Sequence, residues 1–590
     1  MRSEAPTATS SVHEFRSVHG ECPEIPDDLS IPQFFLDTTH PLRPTRPAGS
    51  PWLIDDQSGK TLDHEQIRSR SYGLAQALKF RWHLEEDEVA AIFSPNSIYY
   101  PIICFGVHRI GAAITAANPT FSPEELQHQL EATKAKILFV HPSALQTGVA
   151  AARAVGLSDD RIVLIEPAAN AKQPFVTLDE VISESLQHPK PFVDRQLRPG
   201  EAKTKVAFYN SSSGTTGKPK SVAVSHYSVV ANVLQKAEMN RVYDTTVPPE
   251  RRRFAPGSVS ISVLPQFHIY GCIVVVFFQL FCGCSVLVIP KFSFTSFLGS
   301  IQKYRVATLF VVPPMIVLMC KHPATKNYDL SSVRSLMVGA APTSAELSGQ
   351  LMALLPNINF FQGYGLTETA TTVCMGPLNK QVGTLGSAGQ LIPGIRARLL
   401  KPDGTYGGPG EQGELVIYSP SNALGYINNA QATKETFIDG WVRTGDEAII
   451  DANNDVFIVD RIKEIMKVRG FQVAPAELEG HLLNNALVSD VCVVGVPDDY
   501  SGEVPFAFVV PSAEADEKIQ RGEGKLVKAQ IAKYVADAKA PYKQLAGGVE
   551  FIDAIPKNPS GKMLRRLLRD RAKEARQKIL EEANIVKAKM

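Results

Sequence analysis

From about Glu88 onward the chain alternates short β-branched runs with longer stretches of helical spacing, and nothing else narrows its fold as much. Val89-Ala90-Ala91-Ile92-Phe93 precedes the helix-like Tyr100 to Ile110. Lys136 to Val140, Arg161 to Ile165, Ser285 to Ile289 and Thr308 to Val312 then read as further strands, each trailed by turn residues and helical spacing. Such interleaving predicts α/β layers. No repeat period emerges. At 590 residues the chain exceeds what one core organises, so two or more domains are expected. Hydrophobic residues at 44% and charged residues at 21% allow a large core, as in soluble globular enzymes, and argue against a disordered or membrane protein.

The character changes near residue 394, where Gly and Pro multiply and short strands dominate: Ala397 to Leu400, Glu414 to Ile417, Val456 to Val459. This predicts a β-rich subdomain. A smaller α+β pattern starts after Asp460-Arg461, with Ala476 to Leu483 helical, Val491 to Val496 and Phe506 to Val510 extended, and a basic amphipathic helix near 563 to 583. The expected division is a flexible segment 1–24, a large domain 25–460, a small domain 461–575 and a tail 576–590.

Lys plus Arg total 61 against 60 for Asp plus Glu, so no net field draws the molecule to nucleic acid or anionic lipid, and any bound anion must be met locally. In the basic helix, Leu564, Leu567 and Leu568 read as a buried stripe under a solvated arginine face. The eight cysteines lie mostly in apolar stretches without zinc spacing. Residues 1–30 lack the apolar core of a secretory signal. Gly271 to Pro290 carries no charge, but Gln279, Cys282-Gly283-Cys284 and Ser285 interrupt it, so it reads as a buried helix followed by a strand and not as a transmembrane segment.

The strongest local signal is Ser211-Ser212-Ser213-Gly214-Thr215-Thr216-Gly217-Lys218-Pro219-Lys220. Glycines let backbone N–H groups approach phosphate oxygens, hydroxyls add donors and lysines add charge; a plain Gly/Ser surface loop is the alternative. A Walker A loop is ruled out, because Ser212 stands where its first glycine belongs and Pro219 where Ser or Thr follows the lysine. The flanks, Lys205 to Tyr209 and Ser221 to Val224, read as the strands of a hairpin. Three further segments add weight. Gln362-Gly363-Tyr364-Gly365-Leu366-Thr367-Glu368-Thr369 offers a hydroxyl and a carboxylate suited to a magnesium-bound phosphate, or else is a turn with a capping Glu. Arg443-Thr444-Gly445-Asp446 places a carboxylate after a tight turn, where it could accept both ribose hydroxyls. Pro556-Lys557-Asn558-Pro559-Ser560-Gly561-Lys562 holds a lysine at the tip of a loop, able to reach a developing negative charge.

Together these segments resemble the adenylate-forming superfamily of acyl-CoA synthetases, peptide-synthetase adenylation domains and luciferases, most closely its 4-coumarate–CoA ligase branch, over roughly residues 25 to 575. The resemblance implies a large N-terminal α/β domain with a β-rich subdomain, a small mobile α+β C-terminal domain, and an active site between them. It implies that Ser211 to Lys220 wraps the ATP phosphates, that Gly339-Ala340-Ala341-Pro342 and Gln362 to Gly365 line the adenine side, and that Thr367 contacts phosphate. Glu368 would hold Mg2+, Asp446 and Arg461 the ribose, and Lys562 would be the adenylation lysine, with Lys463 at the hinge. His268 aligns with the family histidine near the acyl carboxylate, although a lone histidine by an apolar run is otherwise a satisfied core residue. Tyr270, Val274, Gly339 and Gly363 would line the acid. Lys467, Arg469, Gly470 and Gln472 would face CoA after the small domain turns, with Arg469 standing where relatives usually carry lysine.

The implied reaction is ATP-dependent formation of an acyl adenylate and then of an acyl-CoA thioester from a small carboxylic acid. Val274 departs from the phenol-recognising members, which place a polar residue there. Valine cannot satisfy a buried hydroxyl, and leaving one unpaired costs about 1–3 kcal/mol, so an aliphatic or less hydroxylated aryl acid is expected. A carrier protein as thiol acceptor, a luciferase-like oxygenase and a non-catalytic acyl-nucleotide binder are the alternatives. The ending Ala588-Lys589-Met590 resembles a peroxisomal address, which would add an import receptor as partner and the peroxisome as location, with the cytoplasm otherwise.

Overall fold

The computed structural model describes residues 13–167, 174–212, 220–341, 343, 345–498, 500–558 and 561–588. Within them, four sheets carry the architecture.

One sheet builds on parallel strands Val89–Phe93, Ala113–Ala117, Ile137–Val140, Ile162–Leu164 and Val206–Ser212, extended on one side by the antiparallel Lys220–Ser225 and Gly425–Tyr426. A second is longer and runs Ser335–Val338 between Thr308–Val311 and Asn359–Leu366. The uninterrupted apolar runs follow from burial on both faces: every residue of Val89–Phe93, Ile137–Val140 and Thr308–Val311 is buried. The third sheet is antiparallel and shows the other pattern. Arg396–Leu400 alternates half-buried and buried residues, as a strand with one covered face should. These sheets share a continuous core reaching from Phe15 to Val456.

A fourth sheet, of Met466–Val468, Phe471–Val473, Val488–Asp498, Gly502–Pro511 and Gly548–Phe551, has cores of its own. One is built on Met466, Val473, Leu478 and Val509, the other on Cys492, Phe506, Phe508 and Leu568. The α/β reading and the hairpin around the Ser/Gly loop are thus present. The loop's residues 213–219, with Ser213, Gly214, Thr215, Thr216, Gly217 and Lys218, lie outside the described residues, as do Pro342 and the terminal Lys589-Met590.

Three details differ from expectation. The apolar stretch after His268 is a buried helix and then a strand, but Tyr270–Phe278 winds as a π-helix before one α-turn, Gln279–Phe281, and the strand Ser285–Val288. Among the described residues no helix is long and apolar enough to cross a membrane. Asp446 does not follow a tight turn; it lies inside the ten-residue strand Trp441–Ile450, bent at Gly445 (φ 71°) and shifted in register after Glu447. Lastly, Leu567 is 50% exposed, so the stripe on the helix Arg565–Ala588 narrows to Leu568 and Ala572.

Candidate active site

The hairpin Val206–Ser212 and Lys220–Ser225 pairs Ser211 with Ser221 and Ser212 with Lys220, which brings both ends of the Ser/Gly loop together. Beside it, Gly425-Tyr426 pairs antiparallel with Ala223 and Val222. Tyr426 therefore stands at the mouth of the loop, with the Lys220 Nζ 4.7 Å from its ring centroid and its hydroxyl donating to Glu368 Oε1 at 2.8 Å. Glu368 sits in a one-turn 3-10 segment, Thr367–Thr369, where Ala370 (φ 49°) reverses the chain into the strand Thr371–Met375. Among the described residues its carboxylate caps no backbone N–H; Tyr426 holds it on the side of Lys220. Burial, then the Glu368 carboxylate, pushes the Tyr426 phenol up, so it stays a donor.

The strand Asn359–Leu366 carries Gln362, Gly363, Tyr364 and Gly365. Gln362 Oε1 accepts from the Thr343 N–H at 3.3 Å and anchors the segment after Gly339. A Cβ on Gly365 would lie 1.7 Å from the Thr371 carbonyl oxygen, so only glycine lets the two strands close at that point. A Cβ on Gly339 would meet the Tyr270 ring at 3.3 Å, and one on Gly363 the Met337 methyl at 2.1 Å. Ala340 takes φ 70° and is exposed; Ala341 is half-buried.

Tyr364 donates its hydroxyl to Asp446 Oδ2 at 2.6 Å, while Arg461 Nε lies 3.4 Å from Asp446 Oδ1. Asp446 and Arg461 face each other on neighbouring strands, and Asp446 is 6% exposed. Burial, then Asp446, pushes the Tyr364 phenol well above its ordinary range.

Lys562 comes to this cluster from the fourth sheet's domain. Asn558 clamps its loop: the Lys562 N–H donates to Asn558 Oδ1 at 2.8 Å, and the Asn558 N–H donates to the Lys562 carbonyl at 2.8 Å. At the adjoining Gly561, a Cβ would fall 2.9 Å from the Val312 side chain, so the loop tip rests against the large domain. Burial brings the Lys562 ammonium down to about 8; Arg461 acts in the same direction, while Asp446, Glu464 and Glu368 oppose it. His268 feels the same ammonium: burial, then Lys562, brings its imidazole down to about 4. The ring is neutral at pH 7, and its Nδ1 accepts from the Tyr270 N–H at 3.3 Å, which leaves the proton on Nε2.

The structure thus gathers Lys562, His268, Glu368, Tyr364, Asp446 and Arg461. It does not bring Lys467, Arg469, Gly470 or Gln472 to them. Those four are exposed on the hairpin Met466–Val473, whose two-residue turn has Arg469 at φ 51° and Gly470 at φ 83°, and Lys463 is exposed as well. Val274 is 1% exposed on the π-helix, one turn past Tyr270. Sequence reasoning missed Tyr426, Asn558 and Glu464. Tyr426 and Glu464 act through partners placed by tertiary pairing; Asn558 acts locally, on Lys562 four residues on, and stood within the quoted lysine loop.

A family model described as AMP-binding enzyme matches residues 43–427, and one described as AMP-binding enzyme C-terminal domain matches 477–562. The chain is 34% identical over 556 residues to 4-coumarate-CoA ligase 1 of Narcissus pseudonarcissus, covering 93% of this chain and 94% of that one. It is 33% identical over 557 residues to the acyl-CoA ligase gloD of Glarea lozoyensis, covering 92% and 95%. Among solved structures, an anthranilate CoA ligase in complex with anthranoyl-AMP superposes with a TM-score of 0.78 at 22% identity, over 93% of this chain and 98% of that one. ATP-bound MatB from Rhodopseudomonas palustris gives 0.75 at 23%, over 90% and 98%.

Proposed function

The chain belongs to the AMP-binding enzyme family of adenylate-forming ligases and is an ATP-dependent acid–thiol ligase working through an acyl adenylate; we propose that its acid is aliphatic or weakly hydroxylated aryl and its thiol is CoA. The observation that carries the assignment of roles is the seat of Lys562, whose loop rests on Val312 of the large domain and whose ammonium feels the charges of Asp446, Glu368 and Arg461 and acts on neutral His268.

In the first half-reaction a carboxylate oxygen of the acid attacks the α-phosphorus, the bond from that phosphorus to the bridging oxygen breaks, and pyrophosphate leaves. Lys562 faces the charge that builds on the phosphoryl oxygens, and Asp446, oriented by Tyr364 and Arg461, accepts the ribose hydroxyls. Lys220 and the hairpin loop hold the departing phosphates. His268 keeps its Nε2 proton and donates to the acid's carboxylate, orienting it for attack. No protein nucleophile is required.

Glu368 suits magnesium. It is a hard oxygen donor held by Tyr426 on the side of Lys220, and among the described residues no group of three His, Cys, Asp or Glu could hold a metal alone. The remaining ligands would be phosphate and water, the usual magnesium arrangement. Bound there, the ion supplies neutralisation of phosphate charge.

In the second half the thiol attacks the acyl carbonyl, losing its proton, and AMP departs with the mixed-anhydride oxygen. The exposed hairpin carrying Lys467, Arg469, Gly470 and Gln472 suits this step once the small domain has turned and withdrawn Lys562. The ending Ala588-Lys589-Met590 supports peroxisomal import, which a fluorescent fusion with and without the tripeptide tests.

The deciding experiment is pyrophosphate release with ATP and magnesium across aliphatic and aryl acids, with and without CoA, with mass analysis of products. Acyl-CoA is expected. Pyrophosphate without thioester would move the acceptor to a carrier protein, and release with no acid would sink the proposed substrate class.

A further inference from the structure

The acid site proposed above is bounded by the π-helix Tyr270–Phe278 and the strand Asn359–Leu366, and both walls continue past it into the core. Along the helix, Val274 and Phe278 succeed Tyr270 at intervals of about one turn, on one side. Along the strand, Phe361 lies two residues before Gly363 and shares its face. Phe254 packs where the two walls meet, with its ring centroid 5.1 Å from Phe278 and 6.4 Å from Phe361.

Two cations stand against these rings, both buried. Lys236, on the helix His226–Met239, is fully buried, and its Nζ lies 5.1 Å from the Phe278 ring centroid with no hydrogen-bond partner. Arg253 is 3% exposed and stacks on Phe361, its guanidinium carbon 4.0 Å from the ring centroid. Among the described residues neither forms an ion pair. Arg253 nevertheless donates to Asn240 Oδ1 at 3.1 Å and to the Gly376 and Pro377 carbonyls at 2.8 and 2.9 Å. Lys236 has none of this. A buried ammonium without an acceptor is strongly unfavourable, and buried charges are as a rule paired.

Burial has brought the Lys236 ammonium down to about 7, which lessens the cost without supplying an acceptor. The Tyr270 hydroxyl, at the near end of the same helix side, is also buried and unpartnered. Val274, between the two, is purely apolar. The polar groups thus lie at the two ends with an apolar span between them.

We propose that Lys236 is a specificity determinant at the inner end of the acyl site, where its ammonium receives an oxygen acceptor, best a carboxylate, carried at the far end of the acid. This rests on the ligase reading and narrows its substrate to acids with an apolar middle and an oxygenated tail. Lys236 touches no reacting atom, so its effect is on choice among acids and not on the adenylation chemistry.

The test compares kcat/KM for pyrophosphate release with methyl-ended and carboxylate-ended acids of matched length, octanoate against suberate and decanoate against sebacate, in wild type and Lys236→Met. Wild type should favour the carboxylate-ended member of at least one pair by tenfold or more. Lys236→Met, which replaces the charge with an apolar chain of similar length, should lose that preference while keeping or gaining activity on the methyl-ended acid. Should Lys236→Met melt early, Lys236→Gln reads the same comparison with an uncharged donor. A wild type that adenylates acids but prefers no carboxylate-ended one, or a preference unchanged in both variants, overturns the role of Lys236 and leaves the ligase intact. Absence of pyrophosphate with every acid overturns the ligase's proposed substrates and this inference together.

Discussion

Tyr364 and Asp446, 82 residues apart in sequence, are joined by a 2.6 Å hydrogen bond that fixes which way the carboxylate faces. The tyrosine comes from a strand of the second sheet and the aspartate from the antiparallel third, so this bond ties the two sheets at the proposed nucleotide site. A hydrogen bond to a charged group is worth about 1.5–3 kcal/mol. Tyr364→Phe should therefore raise the KM for ATP by roughly tenfold or more while altering kcat less, since the proposed ribose contact would be made in ground and transition states alike. Steady-state pyrophosphate release against ATP concentration measures this, and an unchanged KM would remove Tyr364 from nucleotide positioning.

In the role proposed for it, Lys562 must be charged to face the phosphoryl oxygens, and burial has brought its ammonium down to about 8. The sign follows directly: below that value the charged form predominates and the adenylation rate is level, and above it the rate should fall about tenfold per pH unit. His268, brought down to about 4, adds no acid limb between pH 5 and 7. Lys562→Ala should reduce adenylation by two orders of magnitude or more and abolish the alkaline limb. A variant that kept the limb would assign it to another group.

The difference between what the sequence revealed and what it hid follows from the range of the interactions. The Ser/Gly loop is bounded by strands adjacent in sequence, and the Lys562 loop is closed by Asn558 four residues away, so local chemistry marked both. Asp446 looked like the product of a tight turn because Thr444-Gly445 is a turn dipeptide; pairing with Gln412–Tyr418 and Val456–Arg461 overrode that preference and kept the segment extended. Tyr426 orients Glu368 from 58 residues away and carries no local signal. Lys236 reads as an ordinary helical lysine, and its burial is created by the π-helix that packs against it.

Gly365 sits where the strands Asn359–Leu366 and Thr371–Met375 shift register. Because a Cβ there would stand 1.7 Å from a backbone carbonyl, no side-chain rearrangement can relieve it and the strands must part. Gly365→Ala should therefore lower the melting temperature and, by displacing Tyr364 and the Thr367–Thr369 turn, raise the KM for ATP as well. Thermal denaturation alongside ATP kinetics reads both; wild-type values in the two would mean the strands tolerate separation at this point.

Arg565 anchors the small domain from its last helix. Its guanidinium meets Glu464 at 2.8 Å and Glu479 at 2.5 Å, and the Glu479 Oε1 also accepts from the Val493 N–H at 2.8 Å. Glu479 and Arg565 are both buried or nearly so, and burial pushes the Glu479 carboxyl up against the pull of Arg565. Removing the arginine leaves a buried carboxylate without its counter-charge, a change that costs about 3–5 kcal/mol where a buried pair is broken from one side. Arg565→Leu should thus destabilise the small domain, with the loss read as an earlier chemical-denaturation midpoint. The double change Arg565→Leu with Glu479→Gln, which removes the stranded charge, should recover part of it. If the single variant unfolded at the wild-type midpoint, the pair would be structurally idle. Adenylation supplies a second reading, because Lys562 reaches the large domain on a loop that leads directly into this helix: the single variant should lose adenylation rate and the double variant should regain it in parallel with stability.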